Sequence, residues 1–258
     1  MLIINADDFG MGENINRAIV RCFLEEICTS ATIMPNMNGF DEACAMAFEH
    51  GFYEQVGLHF VLNGGAPLSS GIKKESRFCN RDGMLRLSRE TSILSLTTRE
   101  QYALAAEIRA QIRKCRERGI PISHVDSHHH VHTEWGIARV LIPIVREEGI
   151  PFVRIARNLV KNREIVKRVY KYFYNVHLRR SKLRATDYFG SVDEYLLFLE
   201  CETEGVRIIE VMIHPHYRGD TMYIYDSIET EQYLGVMRQH YKSEGTASFH
   251  GLHPCSMK

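Results

Sequence analysis

Leu2-Ile3-Ile4-Asn5-Ala6-Asp7-Asp8-Phe9-Gly10 begins as a buried strand and stops at two adjacent acids and a glycine. A short apolar run that ends in carboxylates reads as a parallel strand delivering side chains to a site. The pattern returns in the middle of the chain. Ile120-Pro121-Ile122-Ser123 leads as a strand into His124-Val125-Asp126-Ser127-His128-His129-His130-Val131-His132, one carboxylate and five imidazoles in nine residues. A neutral imidazole coordinates zinc, iron or nickel without adding charge. Adjacent residues of a regular element point apart, so five rings cannot meet one ion. A helix starting at once groups His128 with His132, whereas a continuing strand groups His128, His130 and His132. One or two of them are expected as ligands, and the others, with Asp126, as contacts to substrate, to a ligand or to water.

Strand and helix signals alternate outward from these two stretches. Residues 30–34, closed by Pro35, and residues 55–61 read as strands. An amphipathic helix precedes each. The first is capped by Asn14 with Ile15, Ala18, Ile19, Cys22 and Phe23 on its stripe; the second spans 40–50. Residues 99–118 form a long helix with Ala103, Ala106, Ile108 and Ile112 inward, and 135–148 a helix that Pro143 kinks or breaks. A strand at 152–156 follows, then a basic helix over 162–183 with Tyr170, Tyr172, Phe173 and Tyr174 on one broad face. After a weak strand at 186–189, Ser191 and Glu194 make a capping box. A strand at 208–215 ends in His214, and a helix at 229–243 and a short strand at 247–249 complete the order. Residues 63–97 are too long for an ordinary connection and read as a lid or insertion.

Strands alternating with helices imply an α/β fold with a parallel sheet. Seven or eight such units in 258 residues favour one domain, 1–258, built as a closed or nearly closed TIM-like (β/α) barrel. Asp7 and Asp8, His59, Asp126 and His128, Arg154 and His214 then all fall at strand ends, the rim where barrels carry their active sites. Each alone has a plainer reading: helix-start acids, a satisfied core histidine, a paired arginine, a turn. Their joint placement is what points to a metal-dependent hydrolase.

Bulk composition excludes several classes. Lys+Arg and Asp+Glu both number 32, so no global charge recruits nucleic acid or an anionic membrane. The 7 cysteines are scattered without a C-x-x-C pair, which argues against a disulfide framework or a cysteine zinc site and for a reducing, cytoplasmic setting. No stretch reaches the roughly 18 apolar residues of a membrane span, and Met1 leads directly into the first strand without a basic leader. A homo-dimer is the base-rate expectation.

One carboxylate and two histidines leave open positions on a divalent ion, as catalysis needs. Such an ion lowers the pKa of a water toward roughly 7 and polarises a carbonyl. Of Asp7 and Asp8, which a regular strand points apart, one is expected to ligate and the other to take the water's proton. Arg154 is placed to orient that base, and His214 to protonate a leaving amine or alkoxide.

At these residues the chain resembles the YdjC-like (ChbG/HpnK) carbohydrate deacetylases. The resemblance is carried by Ile4-Asn5-Ala6-Asp7-Asp8-Phe9-Gly10, Gly57-Leu58-His59-Phe60-Val61-Leu62, Asp126-Ser127-His128-His129-His130-Val131-His132 and Glu210-Val211-Met212-Ile213-His214-Pro215. It implies a variant (β/α) barrel related to polysaccharide deacetylase barrels. It further implies removal of an N-acetyl group from an amino sugar or chitooligosaccharide. The family's metal ligands carry over to Asp8, His59 and His128, its base to Asp7, and base-orienter and general acid to Arg154 and His214. The ion expected is magnesium or zinc. The rivals are a phosphoesterase on a similar barrel, which would gather two or three ions, and a non-catalytic sugar- or metal-binding protein.

Overall fold

Every side chain of β1 (Leu2–Phe9) except Asp8 is buried, because the strand is paired on both edges and covered on both faces. The computed structural model describes residues 1–87, 93–160, 164–200, 207–225, 229–230, 232–243 and 245–252. β1 pairs in parallel with β2 (Ser30–Ile33) and with β7 (Ile209–Arg218). β2 pairs with β3 (Val56–Phe60), β3 with β4 (His124–Ser127), and β4 with β5 (Phe152–Val153), all parallel. On the other side, β6 (Tyr188–Gly190) pairs in parallel with β7. The result is a mostly parallel α/β sheet, interleaved with α1 (Glu13–Leu24), α2 (Phe40–Glu49), α3 (Thr98–Glu117), α4 (Trp135–Glu147), α5 (Ile165–Arg180), α6 (Val192–Leu199) and α7 (Gln232–Ser243).

Among the described residues no ladder joins β5 to β6; one bridge, Phe152 to Arg184, stands at that seam. The sheet nevertheless curls strongly. Arg154, just past β5, contacts carboxylates from β1, β4 and β7 at 2.6–2.7 Å, so the inner faces of distant strands meet on one guanidinium.

Several local expectations change in the folded chain. Asn14 is not the cap of α1; Gly12 stands there without a side-chain bond. Asn16 ties the preceding turn instead, accepting from Gly10 N at 2.7 Å and donating to Gly39 O. Ala106 faces solvent while Ala103, Ile108 and Ile112 are buried. α4 runs on through Pro143. The aromatic residues of α5 divide: Tyr174 is buried, Tyr170 partly so, and Tyr172 and Phe173 are exposed. The expected strand at 247–249 reduces to a single bridge between Thr246 and Leu2. β7 runs beyond 215 and turns back through Gly219-Asp220 into antiparallel β8 (Thr221–Tyr225) and β9 (Glu229–Thr230). The Ser191/Glu194 capping box is present, and Thr97 with Glu100 makes a second one opening α3.

The 63–97 insertion is anchored by buried acids rather than by apolar contact alone. Glu107 on α3 accepts from Leu68 N and Ser69 N, and Glu134 accepts from Ile93 N. Ile72, Phe78 and Leu85 of this segment are themselves buried, so Phe78 offers no ring to a ligand. Residues 88–92 of this segment, 162–163 of the basic helix, and Cys201 and Cys255 lie outside the described residues. No helix among the described residues is long and apolar enough to cross a membrane.

Candidate metal and catalytic site

The ends of β1, β3, β4 and β7 open into one cavity of about 530 Å3. Both Asp7 and Asp8 line it, which a regular strand would forbid because neighbours alternate faces. The backbone supplies the reason. Pairing of β1 with β2 slips between Ala6 and Phe9, and Asp8 adopts φ 70, a left-handed conformation that costs a non-glycine residue about 1–3 kcal/mol. The bulge turns both acids to one side.

Asp8 Oδ1 lies 3.0 Å from His59 Nε2 and 2.9 Å from His128 Nδ1, and these three ligand atoms sit within 4.8 Å of one another. His59 is the most tightly held. Its Nδ1 donates to Asp126 Oδ1 at 2.7 Å, and the Thr32 hydroxyl, 3.1 Å from the same nitrogen, donates to Asp126 Oδ2 at 3.0 Å. A carboxylate behind a histidine fixes its tautomer and aims the other nitrogen at the site, the usual arrangement behind a metal-bound imidazole. Burial alone would lower the pKa of His59, but the Asp126 carboxylate outweighs it and, with Asp8, raises it to about 10. Burial pushes Asp8 up, yet hydrogen bonds from His128 and His59 hold it well below the usual carboxylate range. The donor set suits a divalent ion: one carboxylate and two imidazoles converge on a point open to the cavity. A second converging group, Asp7, His59 and Asp126, is fully buried, and Arg154 already occupies both of its acids.

Asp7 is 1% exposed, and Arg154 forks onto it, Nη1 to Oδ2 and Nη2 to Oδ1, both at 2.7 Å. Burial would raise its pKa; the Arg154 charge and hydrogen bonds overcome this and keep Asp7 far below the ordinary range. Asn5 Nδ2 also donates to Asp7 Oδ1 at 2.9 Å, and Asn5 Oδ1 accepts from His124 Nε2 at 3.0 Å. His124 is neutral, its pKa driven down by burial and by Arg154. Its ring fits only because residue 57 is glycine: a Cβ there would come within 2.5 Å of the imidazole. Arg154 Nε donates to Glu210 Oε1 at 2.6 Å, and burial raises Glu210 to about 7 despite that cation. His214 Nε2 stands 3.8 Å from Asp7 Oδ2 at the cavity wall.

The remaining histidines separate. His129 and His130 take left-handed backbone, φ 51 and 56, which turns the chain sharply after His128. His130 lines the cavity. Asp126 and His132, expected as substrate contacts, are instead fully buried beneath it; His132 Nε2 donates to Arg154 O at 3.2 Å and its Nδ1 bonds Ser127 Oγ. Described residues of the 63–97 insertion do not line the cavity, although Asn63 reaches His129 at 2.5 Å. Thr32, Asn5, Glu210, Ile15, His216 and Tyr225 are not among the site residues expected from the sequence. Glu210 inside an apolar run was a visible signal, and so was Gly219-Asp220 between two β-rich segments, a hairpin mark that would have brought Tyr225 opposite His214.

The family model described as YdjC-like protein matches residues 1–245. A carbohydrate deacetylase from Brevibacillus brevis is 30% identical over 231 residues, covering 86% of this chain and 83% of the relative. A chitooligosaccharide deacetylase from Proteus mirabilis is 29% identical over 84% of this chain and 81% of its own length. A crystal structure from Enterococcus faecalis, of a protein named for cellobiose-phosphate cleavage, superposes with a TM-score of 0.69 at 22% identity, covering 93% of this chain and 92% of that one; it shares the fold.

Proposed function

The chain belongs to the YdjC-like protein family, and from that premise we propose that it is a metal-dependent carbohydrate deacetylase. It removes the N-acetyl group from an amino sugar or chitooligosaccharide, as the names of its relatives suggest. The observation that carries this reading is the convergence of Asp8, His59 and His128 beside a second, separately clamped acid, Asp7. Asp8, His59 and His128 would hold one divalent ion, zinc or magnesium, the two imidazoles favouring zinc. When bound, that ion supplies Lewis acidity, polarising the acyl oxygen and acidifying water.

The chain's own groups do the proton work. Asp7, kept ionised and aimed by Arg154, takes a proton from the attacking water as the C–O bond forms. His214, 3.8 Å from Asp7 Oδ2, is placed to receive that proton and deliver it to the amide nitrogen as the C–N bond breaks. Acetic acid and the free amine leave, the acid giving its proton to the amine or to water, and both residues return to their starting states. Asp126, Thr32, Asn5 and Glu210 position these groups without touching substrate. The sheet is read as a barrel left open at the β5–β6 seam. The buried free thiols Cys22, Cys28, Cys44, Cys79 and Cys115 suit a cytoplasmic setting.

A phosphoesterase on a similar barrel usually gathers two or three ions, and the second group of candidate ligands among the described residues is spent on Arg154. The test pairs two variants. His128→Ala loses bound metal and acetate release together; His214→Ala keeps the metal and loses about 10²–10⁴ in turnover. Acetate release that survives complete metal removal refutes the reading.

A further inference from the structure

The outward face of α5 carries apolar side chains where a surface helix is ordinarily polar. Ile165, Val169, Tyr172 and Phe173 recur at i, i+4, i+7 and i+8 and so share one side, while Tyr174 and Leu178 opposite them are buried. With Val166 they are 46–82% exposed. Leu94 and Trp135 stand across from Val166, Val169 and Phe173 and close an apolar groove of about 410 Å3. Apolar residues scattered singly over a surface are ordinary; a contiguous stripe with a groove beside it marks a docking face.

Charge decides what docks there. Between Ile165 and Arg180 the helix holds Lys167, Arg168, Lys171, Arg179 and Arg180 and no acid. Lys167 pairs with Glu164 at 2.7 Å, and Arg179 donates to the carbonyls of Thr186 and Asp187. Arg168 and Arg180 are exposed, and no ion pair among the described residues engages them. A second copy meeting this face by two-fold symmetry would set the cations against themselves, with no acid on the helix to receive them. An apolar stripe flanked by arginines, with aromatic rings among its members, is the composition of a helix that lies in a bilayer interface. The chain is neutral overall, with 32 Lys+Arg against 32 Asp+Glu, so the attraction is confined to this face.

We propose that α5 docks the protein on an anionic lipid bilayer. Ile165, Val169, Tyr172 and Phe173 enter the boundary between headgroups and acyl chains, and Arg168 and Arg180 meet the headgroup phosphates. This docking is independent of the deacetylase reading, and its test needs no turnover.

Trp135 is the chain's single tryptophan and lies in the groove, so its fluorescence reads the contact directly. The full chain is titrated with vesicles of phosphatidylcholine alone and of phosphatidylcholine mixed with phosphatidylglycerol, with brominated acyl chains as quencher. Two double variants are compared, Val169→Ser with Phe173→Ser and Arg168→Gln with Arg180→Gln, each checked for fold by circular dichroism. The native protein is expected to bind the mixed vesicles about tenfold more tightly than phosphatidylcholine alone, with Trp135 quenched and binding weakened by salt. Each double variant should bind the mixed vesicles about tenfold more weakly, and the arginine variant should also lose most of the salt dependence. Failure to bind the mixed vesicles, or binding that neither double variant changes, overturns the proposal. A dimer in sedimentation that Val169→Ser with Phe173→Ser dissolves overturns it in favour of a second copy. A saturable Trp135 response to poly-glutamate without vesicle binding overturns it in favour of an acidic protein partner.

Discussion

Arg154→Met removes a cation that three buried carboxylates share. Arg154 is 1% exposed, with Asp7 at 2.7 Å and Asp126 and Glu210 at 2.6 Å. Methionine fills much of the volume but takes the guanidinium from Glu210 and Asp7 in the interior of the sheet, leaving Asp7 the Asn5 amide and Asp126 only His59 and Thr32. Removing one partner of a buried ionic group costs about 3–5 kcal/mol, because the remaining charge is stranded rather than merely unbonded. For a domain of this size that is a fall in Tm of about 6–20 °C. The pH dependence separates this cause from a packing defect. In the native chain Asp7 is held below its unfolded value, so its contribution is present above about pH 4 and is lost only as pH falls through the folded value. Glu210, raised to about 7, works in the opposite sense: folding gains as pH falls from about 7 and the acid takes up a proton. Without Arg154 the lowering influence on both acids disappears. The variant should then regain stability between pH 8 and pH 5 more steeply than the native protein, as its stranded carboxyls protonate. Urea unfolding followed by circular dichroism across that range is the measurement. A loss under 1 kcal/mol, or parallel pH profiles, would show that the guanidinium does not hold this cluster together.

Metal binding to the ion-free protein should release about one proton per chain at pH 7, because His59, with a pKa raised to about 10, must surrender a proton before Nε2 can ligate. Calorimetry in buffers of different ionisation enthalpy measures it, and the release should vanish above about pH 10; no release at neutral pH contradicts the assignment of His59. Asp126→Asn should weaken metal affinity about 10–100-fold, since the amide cannot hold His59 Nδ1–H as a carboxylate does; competition against a chelator reads the change. Glu107→Ala should leave Leu68 N and Ser69 N without their acceptor at a cost of about 1–3 kcal/mol, seen as faster limited proteolysis within the 63–87 insertion.

Legibility in the sequence followed the range of the interactions involved. The helices and most strands were visible because burial imposes its period locally, and Ser191/Glu194 because a capping box spans only four residues. Failures came where a distant group changed the local outcome. Asn14 looked like a cap, but Asn16 was recruited by Gly39, 23 residues away, and the turn was set by that bond. Asp126 and His132 belong to the same short motif as His128 and look equally available. Only the positions of Arg154 and His59 decide that they face inward. The β7–β8 ribbon was missed because β7 changes partners midway, parallel to β1 up to Ile213 and antiparallel to β8 from His214.

From the sequence alone, alternation of strand and helix set a parallel α/β sheet, and the acids and imidazoles at strand ends named the metal-ligand candidates, since both are properties of side-chain type and spacing. Tertiary structure decided how those groups divide their work. A bulge and a left-handed Asp8 bring two neighbouring acids onto one face, and Arg154 then sets them apart by clamping Asp7 and leaving Asp8 to the histidines. Spacing along a chain can place charges at a rim, but which charge is paired and which is left open depends on contacts made 147 residues away.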